Sequence, residues 1–460
     1  MNHLPPEVIA LCATFISSPD PRPIITLTHV CRYWRRAITS SPRNWASIGS
    51  GWKRLVHLCL ERAGAVPLAV DITVSDVEGD KIFLNAFLPR ASRAAHLSLT
   101  GYSSIETVAN TIPGLFASTM HALTSLELQQ TAEPLELFPS STPPASPISW
   151  KLPKLKSLRL TRTPLYPALA RTKSLVELTL VGYTTPFNFG KFIRFLRSNP
   201  NLGLIVLDIQ FVDAPAWIFP KMIVSLGHLR RLSFTCARAI DAKGLISSIS
   251  FPCGVSLEVS SSRANQHADL RSFLPSPPTR IQELLTPITI IKYQNAPSSR
   301  EFHLSGNNSL FSFRRQNVPS NLDPEFFLFT TTSVRELHAK VSPSRESLFR
   351  PLSRLPALET LVFVDIASFP PHSLDFLAEE PVLCPSLKTI AFFDCDLGSR
   401  TIGELEEIVA RRKNSTAAWL HRVVIVRRAG KLPDHKLIRR LRQSVPRVDA
   451  RIDEELPELP

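Results

Sequence analysis

The grouping in this chain that comes nearest to chemistry is Asp394-Cys395-Asp396. It directly follows the apolar run Thr389–Phe393, where a strand would turn, and no basic partner lies beside it in sequence to generate a thiolate. The other cysteines, at 12, 31, 59, 236, 253 and 384, offer no pair two or four residues apart. That spacing supplies neither a zinc module nor a disulfide framework. Most sit among apolar neighbours, where a reduced, buried thiol is the ordinary state; cytoplasm or nucleus is the fitting compartment. A Gly-x-x-x-x-Gly-Lys loop, Gly-x-Gly-x-x-Gly, His-Glu-x-x-His and Gly-x-Ser-x-Gly are all missing. The 16 glycines leave few of the permissive backbone points that cofactor loops need. The expectation is a protein with no catalytic residues, no metal ligands and no cofactors: a binder, not an enzyme.

For a binder, the elements that position the contacting residues matter most. A hydrophobic fraction of 44% supports a buried core and excludes global disorder. The 40 prolines cannot serve inner strand ladders, so much of the chain must connect short elements. No apolar run approaches the ~20 residues of a spanning helix, so no membrane partner is expected. The start, Met-Asn-His-Leu-Pro-Pro-Glu, lacks a basic region followed by an apolar stretch, which reads as no signal peptide. The net charge of +14 is uneven: residues 411–460 hold 13 Lys/Arg and 6 Asp/Glu, or +7, half of the excess. Only that tail offers an electrostatic footprint.

Leu4–Phe15 reads as a helix. Pro5 and Pro6 suit its start, where their missing donors cost nothing. Val8, Leu11, Cys12 and Phe15 recur at helical spacing and form one apolar stripe. Ser18-Pro-Asp-Pro-Arg-Pro23 breaks the helix. A second apolar helix carries Val30, Tyr33, Trp34, Ala37 and Ile38 on one side, with Arg32, Arg35 and Arg36 largely outside it. Two or three short helices in about 45 residues make too small a core to stand alone, so they must dock, onto the rest of the chain or onto a partner.

Leu4-Pro-Pro-Glu-Val-Ile9, Leu27-Thr-His-Val-Cys-Arg-Tyr-Trp-Arg-Arg-Ala-Ile38 and Ser41-Pro-Arg-Asn-Trp-Ala-Ser-Ile48 together resemble the F-box. More narrowly, they resemble the F-box-like proteins expanded in mushroom-forming (basidiomycete) fungi. Trp52, Leu60-Glu-Arg-Ala-Gly64, Val66-Pro-Leu-Ala-Val-Asp-Ile72, Phe87-Leu-Pro-Arg-Ala-Ser-Arg93 and Leu97-Ser-Leu99 extend the resemblance to residue 99. The proline-serine linker after Phe15 departs from the family's pattern. The resemblance implies helices that bind the adaptor subunit of a cullin-based ubiquitin ligase, and repeats that receive a protein target. Carried onto this chain, Leu4, Pro5, Val8 and Ile9 form the first part of the adaptor-binding surface, and Leu27, Val30, Cys31 and Trp34 the second. Trp34 is the expected anchor, because a large aromatic on a helix can fill a partner pocket; the alternative is that it packs inside the helical unit.

From about residue 95 one phrase dominates: apolar, two residues, apolar, one residue, apolar. It appears from Leu123, Leu155, Leu175, Leu204, Leu229, Leu358 and Leu387. The central residues 126, 158, 178, 207 and 232 are 32, 20, 29 and 25 apart, and 361 and 390 are 29 apart. Most intervals fit the roughly 20–29 residue period of leucine-rich repeats; the 32 implies an insertion at Pro139–Pro147. The last two apolar residues of each phrase alternate as a strand with one buried face. The outward positions Glu127, Gln129, Arg159, Thr161, Thr179, Asp208, Gln210, Ser233 and Thr235 are candidates for holding a target, with Val362 and Ala391 further along. Residues 250–340 are irregular: Val255-x-Leu257-x-Val259, Leu285-x-x-Ile288-x-Ile290, Phe302-x-Leu304 and Val334-x-x-Leu337-x-Ala339 each suit a strand, but the second and third lie too close to head full repeats.

Near the C-terminus, Thr401-Ile-Gly-Glu404 reads as a capping box opening helix Ile402–Lys413. Val423 and Ile425 suggest a final strand. Asp434 can cap helix Lys436–Arg442, and Asp449–Pro460 reads as a loose acidic tail. The arginines of that last helix fit a solvated face better than a nucleic-acid partner, since no aromatic stacking platform accompanies them. The expected fold is α/β: an F-box-like helical domain (1–48), a connecting helix/strand segment (49–94), an irregular leucine-rich-repeat solenoid with a parallel sheet on its concave face (95–400) and a C-terminal helical cap with a basic tail (401–460). The expected function is target recognition for a ubiquitin ligase, the alternative a repeat scaffold acting outside one.

Overall fold

The computed structural model describes residues 4–16, 22–52, 55–74, 77–103, 115, 120–131, 152–165, 169, 171–183, 188–209, 223–236, 239–252, 255–261, 288–296, 299–306, 309–316, 334–340, 352–353, 355–370, 372–378, 383–414, 418–427 and 435–452. The insertion Pro139–Pro147, the presenting position Gln210 and the helix cap Asp434 lie outside them. The chain is a mixed α/β protein that divides into two compact units, Met1–Leu229 and Arg230–Pro460, each built on a mainly parallel sheet.

The first unit opens with three helices, α1 (Pro6–Ile16), α2 (Arg22–Thr28) and α3 (Arg32–Thr39). Then follow β1 (Ser47–Gly49), α4 (Val56–Arg62), β2 (Leu68–Thr73), α5 (Val77–Phe87) and β3 (Ala94–Tyr102). The unit continues with β4 (Ser125–Gln130), β5 (Ser157–Thr161), β6 (Glu177–Val181), α6 (Phe189–Arg197) and β7 (Leu204–Asp208). Strands β1 to β7 pair in parallel in chain order. The sheet therefore begins at Ser47, well before the leucine phrase becomes visible, because its first strands use Ile48, Val70 and Ile72 in place of leucine.

Register explains why these residues form strands. Ile48, Val70, Leu97, Leu126, Leu158, Leu178 and Ile205 are successive partners, and all are buried. Ile72, Leu99, Leu128, Leu160, Leu180 and Leu207 form a second buried row two residues on. The phrase placed at Leu204 is thus two residues out of register. The true one is Leu202-x-x-Ile205-x-Leu207, with Leu202 buried and Leu204 half-exposed on the opposite face. Ile205 then lies 27 residues from both Leu178 and Leu232, a more even spacing than 29 and 25.

Beyond the strand, the fourth residue after the first-row position repeatedly turns left-handed. Gly101, Arg162 and Gly182 do so in the first unit, Asp365 and Asp394 in the second. At Gly182 the requirement is steric as well, since a Cβ would stand 3.3 Å from Arg162 Cγ. Asp tolerates this conformation better than most residues; Arg162 carries it at a cost of about 1 kcal/mol.

The second unit starts with β8 (Arg231–Cys236), α7 (Ala239–Ser248) and β9 (Ser256–Ser261). The irregular middle is an antiparallel meander, β10 (Ile288–Ala296), β11 (Ser299–Gly306) and β12 (Ser309–Gln316). In space the order is β8, β9, β12, β11, β10: β12 runs parallel to β9, and β10 runs parallel to the following β13 (Glu336–Lys340). This resolves the crowding of strand phrases there. Three antiparallel strands joined by two-residue connections need no return helix, and the register still aligns Leu257, Phe311, Leu304, Ile291 and Leu337. Residues 314–316, which carry no strand phrase, belong to β12.

Then come β14 (Thr360–Val364), β15 (Thr389–Phe393), α8 (Ser399–Lys413), β16 (Arg422–Arg427), α9 (His435–Ser444) and β17 (Arg447–Ile452), with β13 to β17 pairing in parallel. Val423 and Ile425 are not the last strand: Val448 continues the row of Leu361, Ile390 and Val423, so residues 449–452 of the expected loose tail are ordered as strand. Valine in place of leucine hid this repeat. Helix α8 starts at Ser399 after Gly398, with no side-chain cap, so Thr401 and Glu404 form no capping box. Arg412 is 1% exposed and donates to the carbonyls of Leu383 and Cys384 at 3.1 and 2.9 Å, pinning the preceding loop to the helix.

Truncating one row member opens a cavity among several strands. Leu178→Ala is expected to cost the first unit about 2–5 kcal/mol in urea unfolding, whereas Thr179→Ala, one residue away on the open face, stays within about 0.5 kcal/mol.

Candidate functional site

Two faces stand open, and the first is on the N-terminal helices. Ile9 and Ala13 turn inward on α1 and are buried. Leu4, Val8, Leu11 and Phe15 turn outward, with Leu11 56% and Phe15 83% exposed. These positions recur every three or four residues, so the predicted stripe forms, but it faces solvent. Ile16, next in sequence, and Val30, between α2 and α3, are exposed, as are Pro5 and Cys12, and Leu27 is half-buried.

The base under this stripe is well tied. Tyr33 Oη donates to the Leu4 carbonyl at 2.9 Å, and Thr14 Oγ1 to Asn44 Oδ1 at 2.7 Å. Asn44 Nδ2 and Trp45 Nε1 both donate to the Ile38 carbonyl, at 3.3 and 3.2 Å. Arg62 of α4 lies over the Trp45 ring at 4.4 Å. Cys31 caps α3, its Sγ accepting from the Trp34 amide at 3.5 Å.

One expected contact residue, Ile9, is corrected by this geometry. Ile9 is 1% exposed and belongs to the helical core, because a helix with apolar residues on both sides must commit one of them inward. Trp34 is half-buried, its indole Nε1 enclosed without an acceptor among the described residues. The large aromatic that projects is Phe15. It was part of the periodic stripe, and that periodicity was the available clue.

The second face is the side of the first unit's sheet opposite the buried rows. Asp71, Ser98, Glu127, Arg159, Thr179 and Val206 are successive partners there, flanked by Thr73, Thr100, Gln129, Thr161 and Val181. Gln129 and Arg159 are exposed; Glu127, Thr161, Thr179 and Asp208 are half-buried. The Glu127–Arg159 ion pair, at 3.3 Å and open to water, contributes little stability and leaves both groups available. In the second unit Ser233 and Thr235 are half-buried on β8, Ser233 paired in register with Glu258. Val362 and Ala391 are buried and present nothing to solvent.

Among the described residues, two groupings nearest to chemistry have partners within the fold. Burial pushes the Cys395 thiol up to about 12, and its Sγ lies 3.4 Å from the Phe393 carbonyl. Among the described residues, His372, Asp375 and Glu404 bring three ligand atoms within 4.8 Å. His372 Nδ1 lies 2.7 Å from Asp375 Oδ2 and its Nε2 2.9 Å from Arg400 Nη2, so the ring protonated at Nδ1 satisfies both. Glu404 accepts from the His372 and Leu374 amides at 2.7 and 3.4 Å. A metal would compete with that proton beside a guanidinium; the group is a latch holding residues 372–375 to α8. No helix among the described residues is long and apolar enough to cross a membrane. The sequence matches no known family model and no curated protein.

Two outcomes are expected. Phe15→Asp leaves the thermal unfolding midpoint unchanged by circular dichroism, while Ile9→Asp buries a charge and exposes residues 4–45 to limited proteolysis. At pH 8 a short pulse of iodoacetamide labels exposed Cys12 but not Cys384 or Cys395, both pushed up to about 12 by burial and hence protonated, as read by peptide mass spectrometry.

Proposed function

We propose that this protein is the target-receiving subunit of a cullin-type ubiquitin ligase, its N-terminal helices an F-box-like docking unit and its strands a leucine-rich-repeat wall. The supporting observation is the α1 stripe: four apolar side chains, two of them more than half exposed, on a helical unit whose other side is closed by hydrogen bonds and core packing. Apolar surface concentrated in this way marks a contact site. The open face of β3 to β7, with its mixture of hydroxyls, amides and both charges, suits recognition of a protein target. Catalysis of ubiquitin transfer would lie with other subunits, and this chain would contribute proximity.

A repeat scaffold outside any ligase is favoured by a different observation. The helices run without a linker into Trp45 and Ile48, which belong to the core, as a terminal cap would. Deleting residues 1–48 would remove both side chains and destabilise the chain under either reading, so truncation cannot separate them.

Substitutions on the stripe can. Purified full-length protein is expected to retain the ligase's adaptor subunit in co-purification, and Leu11→Asp/Phe15→Asp to weaken that binding by about tenfold or more with the fold intact. If wild type fails to retain the adaptor, or the folded variant retains it equally, the ligase reading is wrong and the scaffold reading stands.

A further inference from the structure

The basic end of the second unit has no role in either reading. At the starting ends of β15 to β17 the register places Thr389, Arg422 and Arg447 side by side, with Lys388 and His421 one residue earlier. The His421 amide donates to the Lys388 carbonyl and the Arg447 amide to the His421 carbonyl, which fixes these residues on adjacent strands. In the loop entering β16, Trp419 is 37% exposed, with Lys413 Nζ 5.4 Å from its ring centroid and the His421 ring 5.7 Å away.

Charge there is unbalanced. Asp449 is shared by two guanidiniums, Arg422 at 2.7 Å and Arg447 at 3.1 Å. The Arg422 hydrogen bond above all holds its carboxyl below the ordinary range, so it is ionised, yet one carboxylate offsets only one of the two arginines. Glu359 is likewise shared, by Lys388 at 3.1 Å and Arg335 at 3.7 Å. Lys413 sits over the indole ring, an aromatic face that holds an ammonium in place without neutralising it. Charging an edge strand against aggregation would account for Arg447 alone; Lys388, Lys413, His421 and Trp419 lie off that strand.

We infer that this end of the second unit is a docking surface for an acidic, extended segment of a partner protein, held by Lys388, Lys413, Arg422 and Arg447. Side chains on one side of an extended peptide recur about every 7 Å, and cations one and two strands apart stand about 5 and 10 Å apart, within the adjustment range of long side chains. A single-stranded nucleic acid carries comparable charge but gains much of its affinity by stacking bases on exposed rings. Here the exposed Trp419 ring has Lys413 over its face and His421 tilted against it, which favours carboxylates. The inference goes beyond the ligase reading and does not depend on it, since the surface shares no residue with the α1 stripe.

The test is fluorescence anisotropy of full-length protein with a labelled peptide of about a dozen residues alternating Glu and Ser, beside a Lys/Ser control and a single-stranded RNA of equal charge. The expected result is binding of the acidic peptide only, weakening with salt. Lys388→Gln/Lys413→Gln, at exposed sites, should reduce affinity by about tenfold. Phe15→Asp should leave it unchanged, which separates this surface from the adaptor site. Absence of acidic-peptide binding at low salt overturns the inference, as do indifference to the double substitution and tighter binding of the RNA.

Discussion

Two apolar side chains per strand, kept in the same two rows from one parallel strand to the next, are the constraint on which the rest of this molecule depends. Each strand alone buries too little to fold, and its inward pair becomes stable only against the pairs on either side. The ladder that aligns the rows also satisfies the backbone, so register and burial support each other: a one-residue slip would turn a whole row outward. The left-handed residue that recurs after the strands belongs to the same arrangement, since each strand must leave the sheet at one place. Through the antiparallel meander the register aligns Leu257, Phe311, Leu304, Ile291 and Leu337 while the chain reverses direction.

Because the inward side of each strand is committed to these rows, binding is left to what faces out and to what precedes the sheet. The N-terminal helices show the difference. α1 is apolar on two sides; Ile9 and Ala13 close the helical core, and Val8, Leu11 and Phe15 remain over. Asn44 and Trp45 both donate to the Ile38 carbonyl, and the Ala69 amide of β2 donates to the Ala46 carbonyl at 2.9 Å, which ties that helical base to the sheet. A stripe on so fixed a base loses little conformational freedom when covered.

Much of the strand array was legible because leucine repeats at a spacing that helices and two-layer sheets do not produce. What escaped did so for specific reasons. Ile48 and Val70 fill the first unit's rows, and Val448 a row of the second unit, without being leucine, so each set of strands looked shorter than it is. Leu202 and Leu204 both satisfy the phrase locally, and only pairing with Leu178 decides between Ile205 and Leu207. Thr401 and Glu404 match a capping box in type and spacing, but Glu404 is claimed by amides 30 and 32 residues away. On α1 the periodicity identified an apolar stripe without saying which side of the helix the core would take. That is a tertiary choice, and it turned Ile9 inward and left Phe15 exposed.

The claim at the centre is that the outer side of α1 is a contact face on a body that stands without its partner. Amide hydrogen exchange of the full-length protein, free and with purified adaptor subunit, tests it most directly. The account predicts slowed exchange in residues 8–16 and 27–34 on adaptor binding, with β4 to β7 equally protected in both states. Unchanged exchange in α1, or β4 to β7 becoming protected only when the adaptor is present, would contradict it.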